Sequence, residues 1–206
     1  MTKNVLILAN SRKLRGRCVA GKDEDGNWIR LVKPNGISIP TDEANDLNIL
    51  YIYIVKGLQY EEGVCEYHTE NHTYASYKLV DSLSAESQII KYLDNPLNIY
   101  GSTRRKLYPN EFCNFDKSLL LVKVNNLLIQ KVRTQYGVRN RCNFVYNNMD
   151  YLDFSLTDPK YEENFKLHDI GYEENYERAY LTISLGEPYD DGCAYKLVAG
   201  VITVED

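Results

Sequence analysis

Four cations stand within six residues near the start of the chain, in Asn10-Ser-Arg-Lys-Leu-Arg-Gly-Arg17. Arg12, Lys13, Arg15 and Arg17 repel one another at this spacing, and ion pairs with exposed acids offset only about 0–1 kcal/mol each. A bound anion relieves that repulsion. Arginine grips phosphate through two parallel hydrogen bonds, and Asn10, Ser11 and the backbone at Gly16 add short donors of the kind that contact phosphate oxygens. The competing reading is a solvated loop whose charges keep a sheet edge soluble.

The only tryptophan follows closely, in Asn27-Trp-Ile-Arg-Leu-Val32. Strand alternation places Trp28, Arg30 and Val32 on one face and Ile29 and Leu31 on the other. If the aliphatic pair faces the interior, Trp28 and Arg30 face outward, where an indole stacks on a base and a guanidinium attracts the backbone. Packing of the indole, with Arg30 paired to a carboxylate, explains the same residues without a ligand. A secondary basic patch, Arg104-Arg105-Lys106, has Tyr100 and Tyr108 beside it, and a third, Arg133, Arg139 and Arg141, surrounds Tyr136-Gly137. Either extends a nucleic-acid track if folding brings it beside the first, and alone each reads as a solvated loop.

Other chemistries find little footing. Cys65, His68 and His72 lack the paired-ligand spacing and the nearby fourth ligand of a zinc site, so no metal is expected. Ser184 sits in Ser-Leu-Gly-Glu187, which is not a nucleophile elbow. His68, His72 and His168 stand in no recognisable catalytic motif, and Glu187 is expected to pair with Lys196 across a hairpin. Neither dinucleotide nor P-loop fingerprint occurs, and no cofactor is expected.

Charge is distributed unevenly. Residues 1–36 hold eight Lys/Arg against three acids, whereas residues 150–206 hold four against fourteen, within a net charge of −5. A phosphate-binding surface should therefore be local, and indiscriminate binding along duplex DNA is disfavoured. The acidic C-terminal region is a possible dock for a protein partner. Five scattered cysteines with no C-x-x-C pair fit a reduced compartment, no apolar run reaches membrane-spanning length, and Val5–Ala9 is too short for a signal peptide. A cytoplasmic protein is the expectation.

The elements that must position these residues are mostly strands. Val5–Ala9 is a continuous apolar run; Arg17–Ala20 and Trp28–Val32 flank a polar segment bounded by Gly21 and Gly26, a hairpin signal. Further strands are expected over Leu47–Val55, Val64–Val80 with a break near His68–His72, Leu119–Val124, Leu127–Val132, Cys142–Tyr146, Tyr151–Ser155, Tyr180–Leu185 and Tyr195–Val204. One helix is expected over Ser84–Asp94, capped by Ser84 and stopped at Asn95-Pro96. The acidic stretch Asp158–Tyr176 reads as loop and short helical turns. With 18 tyrosines against 5 phenylalanines, the composition suits half-buried strand faces. The fold class is all-β with one or two short helices.

Asn10-Ser-Arg-Lys with Gly16-Arg-Cys-Val-Ala-Gly21, Trp28-Ile-Arg30, Ser184-Leu-Gly-Glu-Pro188 and Tyr195-Lys-Leu-Val-Ala199 resemble the dual OB-containing domain family of prokaryotic proteins. That resemblance implies two OB-like small barrels across nearly the whole chain, which bind nucleic acid or a nucleotide. It departs where the family's tryptophan-isoleucine-arginine run continues into proline, since Leu31-Val32 follows here. It implies no catalytic residues. The expected division is a first barrel over 1–105 and a second over 106–206, with exchange of strands left open. The expected function is non-catalytic binding of single-stranded DNA, RNA or a nucleotide. An enzyme with a site between the barrels and a protein-interaction module are the alternatives.

Overall fold

The computed structural model describes residues 1–14, 16–83 and 86–203. Two compact units share the chain: Met1–Leu93 with Phe115–Ser118, and Asp94–Asn114 with Leu119–Asp206. The units therefore part earlier than residue 105, and four later residues return to the first.

In the first unit, β1 (Thr2–Lys13), β2 (Gly16–Asp23) and β3 (Trp28–Leu31) form an antiparallel meander. The Leu31 end leads through α1 (Thr41–Ala44) to β4 (Tyr51–Lys56), which pairs antiparallel with β1. Then come β5 (Gln59–Tyr60), β6 (Asn71–Thr73) and β7 (Ser76–Ser82), followed by the short helix α2 (Glu86–Ile89). Strand β6 lies parallel to β3, and β7 lies antiparallel to β4. Only Tyr74 and Ala75 separate β6 from β7, so the two act as one strand that closes the ring. A five-stranded barrel with that closure is the OB fold. Inside it Val5, Ile7, Val19, Ile29, Leu31, Tyr53 and Val55 pack with Ile39, Ala44 and Leu47 from the β3–β4 connection.

The second unit opens with β8 (Lys106–Leu107) and α3 (Pro109–Phe112). Its barrel comprises β9 (Leu119–Thr134), β10 (Gly137–Tyr146), β11 (Met149–Leu156), α4 (Pro159–Lys166), β12 (Glu173–Leu185) and β13 (Ala194–Thr203). Strands β9, β10 and β11 form a meander, β11 runs parallel to β13, and β12 pairs antiparallel with both β13 and β9. The ring is the same as in the first unit, with a true helix between its third and fourth strands. Phe144, Tyr151 and Phe154 meet in its interior, with Phe144 and Tyr151 stacked at 5.3 Å.

Local differences from the sequence reading have identifiable causes. The helix expected over 84–94 is the single turn α2 followed by a 3-10 turn over Ile90–Tyr92. Asp94 leaves it to exchange hydrogen bonds with Leu121, donating its N–H to the Leu121 carbonyl at 2.8 Å and accepting from the Leu121 N–H at 2.8 Å. The capping role of Ser84 lies outside the described residues. The two strands expected over Leu119–Val132 are one, because Asn126 takes a left-handed backbone (φ 50°) and lets the ladder continue past Asn125. Within the acidic stretch read as loop and short helical turns, Pro159–Lys166 forms the two-turn helix α4: Asp158 accepts from the Lys160 N–H at 3.0 Å and Pro159 occupies the first turn, a start signal visible in the sequence.

Candidate nucleic-acid interface

The β1–β2 hairpin carries the cationic cluster at its tip. Register runs Arg12↔Arg17 and Lys13↔Gly16 up to the end of the hairpin. Arg12, Lys13 and Leu14 are exposed and Arg17 is half-buried; Arg15 lies outside the described residues. The tip is braced from below. Arg17 and Ile39 exchange backbone hydrogen bonds at 2.8 and 3.1 Å, and Gly16 lies so close that an added Cβ would stand 2.3 Å from the Ile39 carbonyl oxygen. The apex is thereby pinned to the β3–α1 connection, with Arg12 and Lys13 exposed beside it.

Four of the eight residues assigned to this site from the sequence are placed elsewhere. The Asn10 amide donates to the Ala44 and Leu47 carbonyls at 2.7 and 2.9 Å, so it anchors the turn after α1 instead of meeting a ligand. Ser11 is buried. Trp28 and Arg30, expected on an outward face, are 8% and 6% exposed. The alternation itself holds, for Ile29 and Leu31 line the barrel interior. What the alternation misses is that the opposite face of β2 and β3 is covered by the chain's own segments. Lys22, opposite Trp28 in the ladder, stands 5.0 Å over the indole and donates to the Tyr92 carbonyl at 2.7 Å. A base cannot stack on Trp28 in this arrangement.

Arg30 anchors a buried polar network. Its Nη2 reaches the Ser118 hydroxyl at 2.6 Å and Glu70 Oε1 at 3.2 Å, and Nη1 reaches Asn71 Oδ1 at 3.4 Å. Ser118 gives both its N–H, at 3.2 Å, and its hydroxyl to Glu70 Oε1. Thr69 donates to the Asp116 carbonyl at 2.6 Å. Residues 115–118 are thus fastened into the first unit by charge-assisted bonds, the carboxylate-paired role for Arg30 already present among the sequence readings. His72, weighed above as a metal ligand, has its Nδ1 2.9 Å from the Glu70 carbonyl. Among the described residues, no group of three or more His, Cys, Asp or Glu side chains is placed to hold a metal ion.

In the second unit the two further basic patches are partly merged. Arg104 is paired with Glu111, and Lys106 with Asp191 at 2.9 Å. The hydrogen bond from Lys106 holds the Asp191 carboxyl down at about 2. Arg105 turns the other way, to Asp153 at 3.2 Å, and Arg141 from the third patch reaches the same carboxylate at 3.3 Å. Arg139 lies two residues from Arg141 on the same strand face. Burial, partly offset by Asp153 and reinforced by the charges of Arg105 and Arg139, lowers the Arg141 pKa. The Glu187–Lys196 pair expected from the sequence does not form: Lys196 is buried and donates to the Ile99 and Ser102 carbonyls at 2.6 and 2.5 Å.

Asp153 was not singled out from the sequence. It owes its position to a bulge, since pairing passes from Cys142↔Phe154 to Phe144↔Tyr151 and sets Asn143 against both Leu152 and Asp153. Asp153 takes φ 62° there, and its N–H donates to Asn143 Oδ1 at 2.8 Å. Bulges commonly re-aim one side chain out of an otherwise regular ladder.

The family model of the dual OB-containing domain matches residues 3–201 of the chain. No curated protein and no solved structure matches it. Among the described residues, no helix is long and apolar enough to cross a membrane.

Proposed function

The chain belongs to the dual OB-containing domain family, and from that premise we propose that it is a non-catalytic binder of single-stranded nucleic acid or of a nucleotide. The loop between the first two strands is one of the surfaces with which OB barrels hold oligonucleotides. In the first unit that loop is the cationic apex, and this placement is the observation that carries the reading: Arg12 and Lys13 are exposed on a turn pinned at Gly16 and Arg17. Phosphate contacts made there position a strand without reading its sequence. The stacking role first assigned to Trp28 forms no part of the proposal.

The double variant Arg12→Ala/Lys13→Ala should bind a short oligothymidylate at least about tenfold more weakly than the parent, the direction expected when phosphate contacts are lost. Affinity measured by fluorescence anisotropy across a salt series should also lose steepness, by about 0.7 in the log–log slope for each single-strand phosphate contact removed. Unchanged affinity and slope would remove the hairpin from the function.

A further inference from the structure

We infer that the outer face of the second barrel holds a phosphomonoester, gripped by Arg105, Arg139 and Arg141 around Asp153. The inference rests on the nucleic-acid reading for the source of that group, and on the following geometry for the site itself. Residues 139 and 141 share a face of β10, and Cys142, Phe144 and Tyr146, which alternate onto the other face, are buried in the barrel, so both arginine side chains leave the outer face of the meander. Two residues along a strand is about 7 Å, a spacing that two arginine side chains bridge over one tetrahedral anion.

Asp153 cannot neutralise the group. One of its oxygens faces Arg141 Nε at 3.3 Å and the other faces Arg105 Nη1 at 3.2 Å. Its single negative charge is spent on two cations, and Arg139, whose Nη1 donates to the Val138 carbonyl at 2.9 Å, adds a third. The cluster therefore carries two positive charges in excess. A phosphodiester supplies one negative charge, whereas a phosphomonoester supplies about 1.5 to 2 at neutral pH, which matches the excess. Rigidity favours the same occupant. The Arg141 side chain is only 11% exposed, and its Nη1 donates to the Ser155 hydroxyl directly across the ladder, so one fork is fixed before any ligand arrives. Arg105 is 40% exposed and Arg139 is exposed, free to close on oxygens from either side. Guanidinium forks match phosphate oxygens in a way that ammonium groups do not.

Two sources present such a group: the 5′ end of a strand and a free nucleotide. Isothermal titration of the full chain with an oligothymidylate, the same oligomer bearing a 5′-phosphate, thymidine 5′-monophosphate and thymidine separates them. The expected result is about tenfold tighter binding of the 5′-phosphorylated oligomer than of the unphosphorylated one, with the difference lost in Arg139→Ala and in Arg105→Ala. Both residues are at the surface, so the variants test binding without unfolding the barrel, and a matching melting curve verifies this. Binding of the monophosphate but of neither oligomer nor thymidine keeps the site, narrows the function to a nucleotide and sinks the single-strand reading. Equal affinity for the two oligomers, or a preference for the 5′-phosphate that survives both substitutions, overturns the site and leaves the hairpin reading standing.

Discussion

Replacing Arg30 with alanine should cost the first unit about 3–5 kcal/mol, the usual penalty for deleting one member of a buried ion pair. The cause is the carboxylate left behind. Glu70 is 4% exposed, and its Oε2 already has no hydrogen-bond partner. Without Arg30, the Glu70 charge keeps only the Ser118 donors at Oε1. Chemical denaturation should show an early transition for the first unit, and hydrogen exchange should quicken at the Ser118 amide, which donates to Glu70. The double variant Arg30→Met/Glu70→Leu should recover much of the loss, because an apolar replacement of both partners leaves no buried charge. Additive losses in that cycle would mean that the two side chains do not work as a pair. So would a single-variant cost below about 1 kcal/mol, the range of an exposed ion pair.

Gly21→Ala should be comparably damaging by a different route. A Cβ at Gly21 would lie 2.0 Å from the Leu6 carbonyl oxygen and 2.7 Å from its carbon. Both are backbone atoms of the neighbouring strand, so no rotamer change makes room. The ladder between β1 and β2 shifts register near this point, between Ile7 and Ala9, and the strands approach closely because residue 21 lacks a side chain. Overpacking costs about 1–3 kcal/mol where side chains can adjust, and the expected loss here is about 3 kcal/mol or more. Gly26→Ala is the control. It meets nothing within 4 Å but sits at φ 83°, so its cost is the left-handed backbone alone, about 1–2 kcal/mol. A thermal melt in which Gly21→Ala loses no more than Gly26→Ala would mean that the strands part easily at this position.

Much of the architecture was legible along the chain because it depends on local alternation. The Val5–Ala9 run, the hairpin between Arg17 and Val32 and the closing strands from Tyr180 and Tyr195 all lie in strands of the closed barrels. The division into Ile29 and Leu31 against Trp28 and Arg30 also holds. Alternation separates two faces of a strand; it does not say what lies over each. Residues 115–118 and Tyr92 come from far along the chain to cover the second face, and no pattern near Trp28 records that.

The basic patches show the same limit. Arg105, Arg139 and Arg141 were visible as cations, but Asp153, which draws two of them together, was not. Its role depends on a bulge and a left-handed backbone that Leu152-Asp153 as a dipeptide does not announce. Arg104 and Lys106, adjacent to Arg105 in sequence, go to Glu111 and Asp191 instead, because successive side chains in extended chain point in different directions.

By itself, then, the order of apolar, polar and turn residues determined that this chain forms strands, where most of them run, and that its cations gather in three places. Each of those properties is set by neighbours within a few residues. The tertiary structure decided which cations remain available to an anion, since that depends on carboxylates and covering segments that only ring closure brings within about 3 Å, the reach of a charged hydrogen bond.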